Sequence, residues 1–301
     1  MSALQTQIGK LALDKPGMVA SGIMDETGAS MVRMLAAGAG AVVTKSIGSE
    51  PRAGHANPCF TEVKGGFVNA MGLPNPGIEE FGTEIREAVP HGKIVGSIFG
   101  ANAAEFAKLA GKMEDYGACA LELNLSCPHA KGYGMEVGTD PPLVKQIVAA
   151  VKDAVSIPVW AKLTPNTHLL NDIALAVQDG GGDAVVAINT LKAMVISPEF
   201  RRPYLSNRFG GLSGPAIRTV GVRDIFDLYE AVSIPLIGVG GISDWRDAAQ
   251  YIMAGARAFQ IGSAIAKDGP EVFATINREL QEFMGDNGYE SIADMVGVAH
   301  E

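Results

Sequence analysis

The sequence predicts an α/β fold: a TIM-type (β/α)8 barrel, residues 1–301 forming one domain, with long loop insertions after strands 2 and 6. Three observations predict it. Eight short apolar runs alternate with eight longer amphipathic stretches, glycine-containing turns separate four of the helices from the next strand, and polar residues collect where the apolar runs end. Alternation alone fits an open doubly wound sheet as well. The count of eight favours closure, and a barrel needs about 250 residues, which the 301 here supply.

The strand candidates are 17–21, 41–45, 93–99, 119–125, 158–163, 184–189, 235–239 and 258–262. Each is short and apolar, as strands buried on both faces must be. The helix candidates are 26–37, 77–89, 101–115, 141–155, 169–178, 215–232, 243–253 and 270–284. In the fourth, Leu143, Ile147, Ala150, Val151 and Ala154 show the 3/4 spacing of a helix apolar on one side. Ala-Gly-Ala (38–40), Tyr-Gly-Ala (116–118), Gly-Gly-Gly-Asp (180–183) and Ala-Gly-Ala (254–256) supply the left-handed caps that end helices. Two connections break the rhythm, 47–76 after the second strand and 191–213 after the sixth. Loops of that length are functional walls or lids as a rule, and both leave the C-terminal ends of strands, where barrels build their sites.

Composition excludes several classes. A formal charge of −9 argues against nucleic acid or an anionic membrane as the main partner. Three cysteines (Cys59, Cys119 and Cys127) in no regular spacing read as reduced thiols of a cytoplasmic protein. Without a C-x-x-C pair, the chain has no evident means of holding an iron–sulfur cluster or structural metal. Residues 1–15 show no signal peptide, and no spanning helix is readable.

The organising stretch is Leu-Glu-Leu-Asn-Leu-Ser-Cys-Pro-His, residues 121–129. It begins as a buried strand and ends in an amide, a hydroxyl, a thiol and an imidazole. Pro128 cannot donate to a sheet ladder, so the strand stops there. Taken alone, Cys127 reads as a small buried hydrophobe. Placed just past a strand end, it is a candidate base or nucleophile.

The other strand ends supply Ser21, Lys45 and Ser46, Ser97, Lys162, Asn189 and Thr190, Gly240 and Gly241, and Gly262 and Ser263. Two ammonium groups at one barrel mouth imply a bound anion or an electron-rich ring, since unpaired buried charge is costly. Asn69, Asn124 and Asn189 converge from three connections, and amides suit a flat heterocycle carrying donors and acceptors. Each alone could merely satisfy a turn. Glycines at 238, 240, 241 and 262 let backbone N–H groups approach phosphate oxygens, in the two loops where barrels commonly bind phosphate.

These residues resemble the class 1 dihydroorotate dehydrogenases. The likeness runs through Lys45-Ser46, residues 69–77, 124–128, 138–141, Lys162, Asn189-Thr190, 207–217, Gly240-Gly241 and Gly262-Ser263. The length and the Gly-Gly-Leu-Ser-Gly-Pro-Ala-Ile loop at 210–217 are most similar to the subclass paired with a separate iron–sulfur, FAD-containing subunit that reduces NAD. The resemblance implies FMN at the barrel mouth, oxidation of (S)-dihydroorotate to orotate in pyrimidine biosynthesis, and a homodimer core bearing the electron-transfer subunit. It implies Cys127 as the base at C5, with the C6 hydride going to the flavin. A free thiol with a pKa of about 8.5 is only slightly ionised at neutral pH, so the site must favour thiolate or work best at raised pH. Lys45, Asn69, Met71, Gly72, Leu73, Asn124, His129, Asn189 and Thr190 match the substrate shell. Ser21, Lys45, Ser46, Asn124, Lys162, Ile188, Gly214, Gly240, Gly241, Gly262 and Ser263 match the flavin shell, with Lys162 beside the edge that gains electrons.

One position departs. Many members have asparagine where this chain has His129, and Ser-Cys-Pro-His is also similar to the pyrimidine-reducing domain of dihydropyrimidine dehydrogenase. The alternative is therefore reduction of uracil or thymine, although Lys45 suits a carboxylate that uracil lacks. A lyase barrel with a Lys162 Schiff base and a non-catalytic phosphate-binding barrel are the readings outside redox chemistry.

Overall fold

The computed structural model describes residues 3–125 and 137–301. The chain opens with a hairpin of β1 (Thr6–Ile8) and β2 (Leu11–Leu13), turning at Gly9 with φ +58°. It then enters β3 (Gly17–Val19), α1 (Gly28–Ala36) and β4 (Ala41–Val43). An excursion carries β5 (Phe60–Val63) and β6 (Gly66–Asn69) before α2 (Ile78–Ala88). Regular alternation follows: β7 (Ile94–Ile98), α3 (Ala103–Asp115), β8 (Ala120–Asn124), α4 (Pro141–Ala154), β9 (Val159–Lys162), α5 (Leu170–Asp179) and β10 (Ala184–Ala187). A second excursion holds β11 (Leu191–Met194), β12 (Ile196–Ser197), β13 (Arg202–Pro203) and β14 (Phe209–Ser213). The chain ends through α6 (Arg218–Ala231), β15 (Leu236–Val239), α7 (Trp245–Met253), β16 (Ala256–Ile261), α8 (Ser263–Asp268), α9 (Val272–Asp286) and α10 (Ile292–Met295).

Eight strands close into a barrel in the order β10-β15-β16-β3-β4-β7-β8-β9, every pair parallel. All eight expected strands are present. Seven of them end one or two residues earlier than their apolar runs suggest, and the seventh in chain order ends at Val239 as expected. Alternation sends Met18, Val43, Val95, Ala120, Trp160, Val186, Ile237 and Ala258 into the bore. Ile8, Leu11 and Leu13 join that cluster, so the opening hairpin plugs the N-terminal end. The opposite faces pack against the helices through residues such as Phe106, Leu109, Ile147, Ile225 and Phe273. Asn102 and Asp140 cap α3 and α4 by accepting from the N–H groups of Glu105 and Leu143.

The two excursions are not bare loops. They pair into one antiparallel sheet, β11-β14-β6-β5, with a small core of Val68, Ala70 and Leu205. Pairing between segments this far apart leaves no local sequence signature. The expected helix at 215–232 also divides, with a 3-10 turn at Pro215–Ile217 preceding α6.

Candidate active site

A cavity of about 370 Å³ opens at the C-terminal ends of the barrel strands, beneath the antiparallel sheet. Every described residue expected in the site lines it. Ser21 follows β3, Lys45 and Ser46 follow β4, and Asn69 ends β6 ahead of Met71, Gly72 and Leu73. Asn124 and Lys162 end β8 and β9, while Ile188, Asn189 and Thr190 follow β10. Gly214 follows β14, Gly240 and Gly241 follow β15, and Gly262 and Ser263 follow β16. Cys127 and His129, with Ser126 and Pro128, lie outside the described residues.

Sequence reasoning missed the apolar walls. Phe60, Phe67, Ile217 and Val239 line the same space. Nothing separates them locally from core residues, although Phe60 is 50% exposed. An apolar wall with a few convergent polar groups is the usual make-up of a small-molecule site.

A hydroxyl chain orders one side. Ser46 Oγ lies 2.8 Å from Ser97 Oγ and 3.2 Å from Ser21 Oγ, and accepts from Asn124 Nδ2 at 2.9 Å. On the other side, Asn166 Nδ2 donates to the Thr190 carbonyl at 2.9 Å and Asn189 Oδ1 accepts from the Thr190 N–H at 2.8 Å. The side chains of Asn124, Asn166 and Asn189 are thus held by neighbouring polar groups rather than left to rotate.

Each lysine already has a partner within the protein, where the sequence implied a bound anion or an electron-rich ring as the counterpart. Lys45 Nζ meets Glu26 Oε1 at 2.5 Å, and that glutamate side chain is 66% exposed. Lys162 Nζ donates to Gln260 Oε1 at 3.2 Å and lies 3.6 Å from Glu122 Oε1.

The glycines have a steric reason. A Cβ on Gly241 would stand 2.7 Å from the Gly214 carbonyl oxygen, and one on Gly214 would stand 2.7 Å from Gly66 Cα. Three backbone segments meet there without side chains. Gly240 and Gly241 also take φ +127° and +70°, which favours glycine. Tyr251 Oη donates to the Gly240 carbonyl at 2.7 Å, and burial pushes that phenol up, so it stays a donor. Asp247 Oδ2 accepts from the N–H and hydroxyl of Ser243 at 3.0 and 2.9 Å, holding the end of the same loop.

Asp25 sits behind Lys45, wholly buried. Its Oδ2 accepts from the Gly22 N–H at 2.5 Å, and among the described residues its Oδ1 has no hydrogen-bond partner. Burial pushes its carboxyl from 3.8 up to about 7, against the pull of the Gly22 N–H and the Lys45 ammonium. A carboxyl whose pKa is higher folded than unfolded stabilises the fold below the unfolded value, and that contribution is lost as pH rises through the folded value. Asp25→Asn is therefore expected to flatten the fall in stability between about pH 4 and pH 7. Urea melts across that range check it, and an unchanged slope would show that Asp25 does not titrate there.

Among the described residues, no cluster of three or more His, Cys, Asp or Glu is placed to hold a metal ion, and no helix is long and apolar enough to cross a membrane. The family model described as dihydroorotate dehydrogenase matches residues 3–284. Relatives named "Dihydroorotate dehydrogenase B (NAD(+)), catalytic subunit" are similar over nearly their whole length. The one from Methanocella arvoryzae is 50% identical over 97% of this chain and 96% of its own. That from Thermoplasma volcanium is 50% identical over 99% of both chains, and that from Methanocaldococcus jannaschii 48% identical over 99% and 98%. A parallel barrel, a mouth lined with lysine, asparagine and glycine, and this end-to-end similarity lead to one assignment: the chain belongs to the dihydroorotate dehydrogenase family.

Proposed function

We propose that the chain oxidises (S)-dihydroorotate to orotate in pyrimidine biosynthesis, as an FMN-dependent catalytic subunit whose electrons pass to NAD through a separate iron–sulfur/FAD subunit. A homodimer core, one domain for residues 1–301 and a cytoplasmic location belong to the same reading. The observation that carries it is the convergence of Lys45, Asn69, Asn124, Asn189 and Lys162 on one cavity.

The residues present fit a flavin mononucleotide. Gly214, Gly241, Gly262 and Ser263 line one cavity, where backbone N–H groups without Cβ atoms in the way, and the Ser263 hydroxyl, would be placed to bind a phosphate. At about 370 Å³ the cavity falls in the usual range for small-molecule sites, roughly 300–1,000 Å³. When bound, the flavin supplies the centre that accepts the C6 hydride.

The chain's own groups do the rest. Lys45 takes the substrate carboxylate; its ammonium already holds the carboxylate of Glu26, which is exposed enough to swing aside. The amides of Asn69, Asn124 and Asn189, with Thr190, address the ring, and Met71, Gly72 and Leu73 form the wall beside it. Ser21, Ser46 and Ile188 hold the flavin, and Lys162 keeps positive charge at the floor where electron density accumulates. Cys127 takes the C5 proton, and His129 belongs to the same substrate shell. The other two thiols are poor candidates for that role. Burial pushes Cys119 up, and Cys59 donates to Asn57 Oδ1 at 3.2 Å in the first excursion.

Anaerobic addition of dihydroorotate is expected to bleach a flavin band near 450 nm (roughly; the absorbance is the cofactor's), and dihydrouracil is not. Bleaching by dihydrouracil alone would replace this reading with uracil or thymine reduction.

A further inference from the structure

The barrel bore holds a carboxylate that nothing in the site so far uses. Glu122 lies on β8, one inward-facing position below Asn124, and is 0% exposed. Its Oε2 accepts from Gln260 Nε2 at 2.5 Å. Strands β8 and β16 are diametrically opposite in the closed order, so this bond spans the bore. The same Gln260 side chain accepts from Lys162 Nζ at 3.2 Å, and Lys162 lies 3.6 Å from Glu122 Oε1. Among the described residues that oxygen has no hydrogen-bond partner.

Stability does not explain the arrangement. A buried ion pair is commonly matched or bettered by apolar residues of the same volume, and most of the surrounding bore is apolar. Glu122 stands beside the Lys162 ammonium beneath the cavity floor, and the Gln260 side chain is hydrogen-bonded to both.

We infer that Glu122 is a positioning residue that lowers the reduction potential of the bound flavin, by holding Lys162 and screening its positive charge. The inference rests on the reading that a flavin lies over Lys162. Removing the negative charge leaves the ammonium less compensated, so electrons added above it are held more strongly. A lower potential keeps the reduced cofactor able to pass its electrons onward.

The test is the two-electron midpoint potential of the flavin in purified holoprotein, by anaerobic titration against a reference dye. Glu122→Gln is isosteric and keeps an acceptor for Gln260. It is expected to shift the equilibrium toward reduced flavin about tenfold, which is about 30 mV for two electrons. Glu122→Asp keeps the charge but withdraws it from Lys162 by one methylene, and is expected to shift the potential upward by less than half as much. An unchanged or lowered potential in Glu122→Gln overturns the inference while leaving flavin binding intact. If that variant does not accumulate as folded protein, Glu122→Asp decides alone, and a wild-type potential in it overturns the inference. A wild-type protein that takes up no flavin overturns the functional reading and this inference together.

Discussion

Cys127→Ala is expected to lower dihydroorotate turnover by about 10²–10⁴-fold, the usual contribution of a positioned general base. Flavin content is expected to stay at the wild-type level, since no backbone N–H or charge beneath the cofactor is altered. Dehydrogenation removes a proton and a hydride from adjacent carbons, and the proton must go to a group on the protein. Cys127 follows β8 by three residues, on the strand that brings Asn124 to the cavity. Turnover at saturating substrate, beside the flavin absorbance of the same sample, separates a lost base from a lost cofactor. Turnover within about threefold of wild type would remove Cys127 from that role, because a base worth so little is outside the range for such groups.

Lys162→Met has the second large effect, on stability as well as chemistry. The substitution leaves Glu122 as a buried carboxylate that, among the described residues, only Gln260 holds by a side-chain hydrogen bond. Breaking one side of a buried ion pair costs about 3–5 kcal/mol, because the remaining charge is uncompensated. Adding Glu122→Gln in the same chain is expected to recover more than half of that loss, since the orphaned charge then disappears. Denaturant melts of the two single variants and the double variant form the cycle. Flavin reduction by dihydroorotate is expected to slow more than orotate binding weakens, because the ammonium acts mainly on the electron-rich state. Additive melts would show that Lys162 and Glu122 do not act as a pair.

Much of the molecule was legible from local pattern. Strands buried on both faces are apolar and short, and α4 shows its one-sided 3/4 spacing, so eight units could be counted before any pairing was known. The polar residues at the ends of those runs were legible for a related reason. An amide or ammonium just after an apolar strand has no use in a packed core, and a parallel barrel gathers all such ends at one mouth. The hairpin of β1 and β2 was not legible, because three-residue strands carry almost no periodic signal. Nor was the sheet formed by the excursions, whose strands β6 and β14 are neighbours only in space.

By itself, then, the sequence determined the barrel, the end of it that carries polar groups, and most of the polar side chains that meet there, but not the apolar walls. Hydrophobic periodicity and glycine placement act over a few residues, so they survive without tertiary information. Only the tertiary structure decided how those groups are charged and held. It gave Lys45 an exposed glutamate, set Lys162 beside a buried glutamate that Gln260 reaches from across the bore, and turned two loops into a sheet over the cavity. Each of these depends on atoms far apart in the chain coming within a few ångströms, and Coulomb and hydrogen-bond energies depend on that distance rather than on separation along the chain.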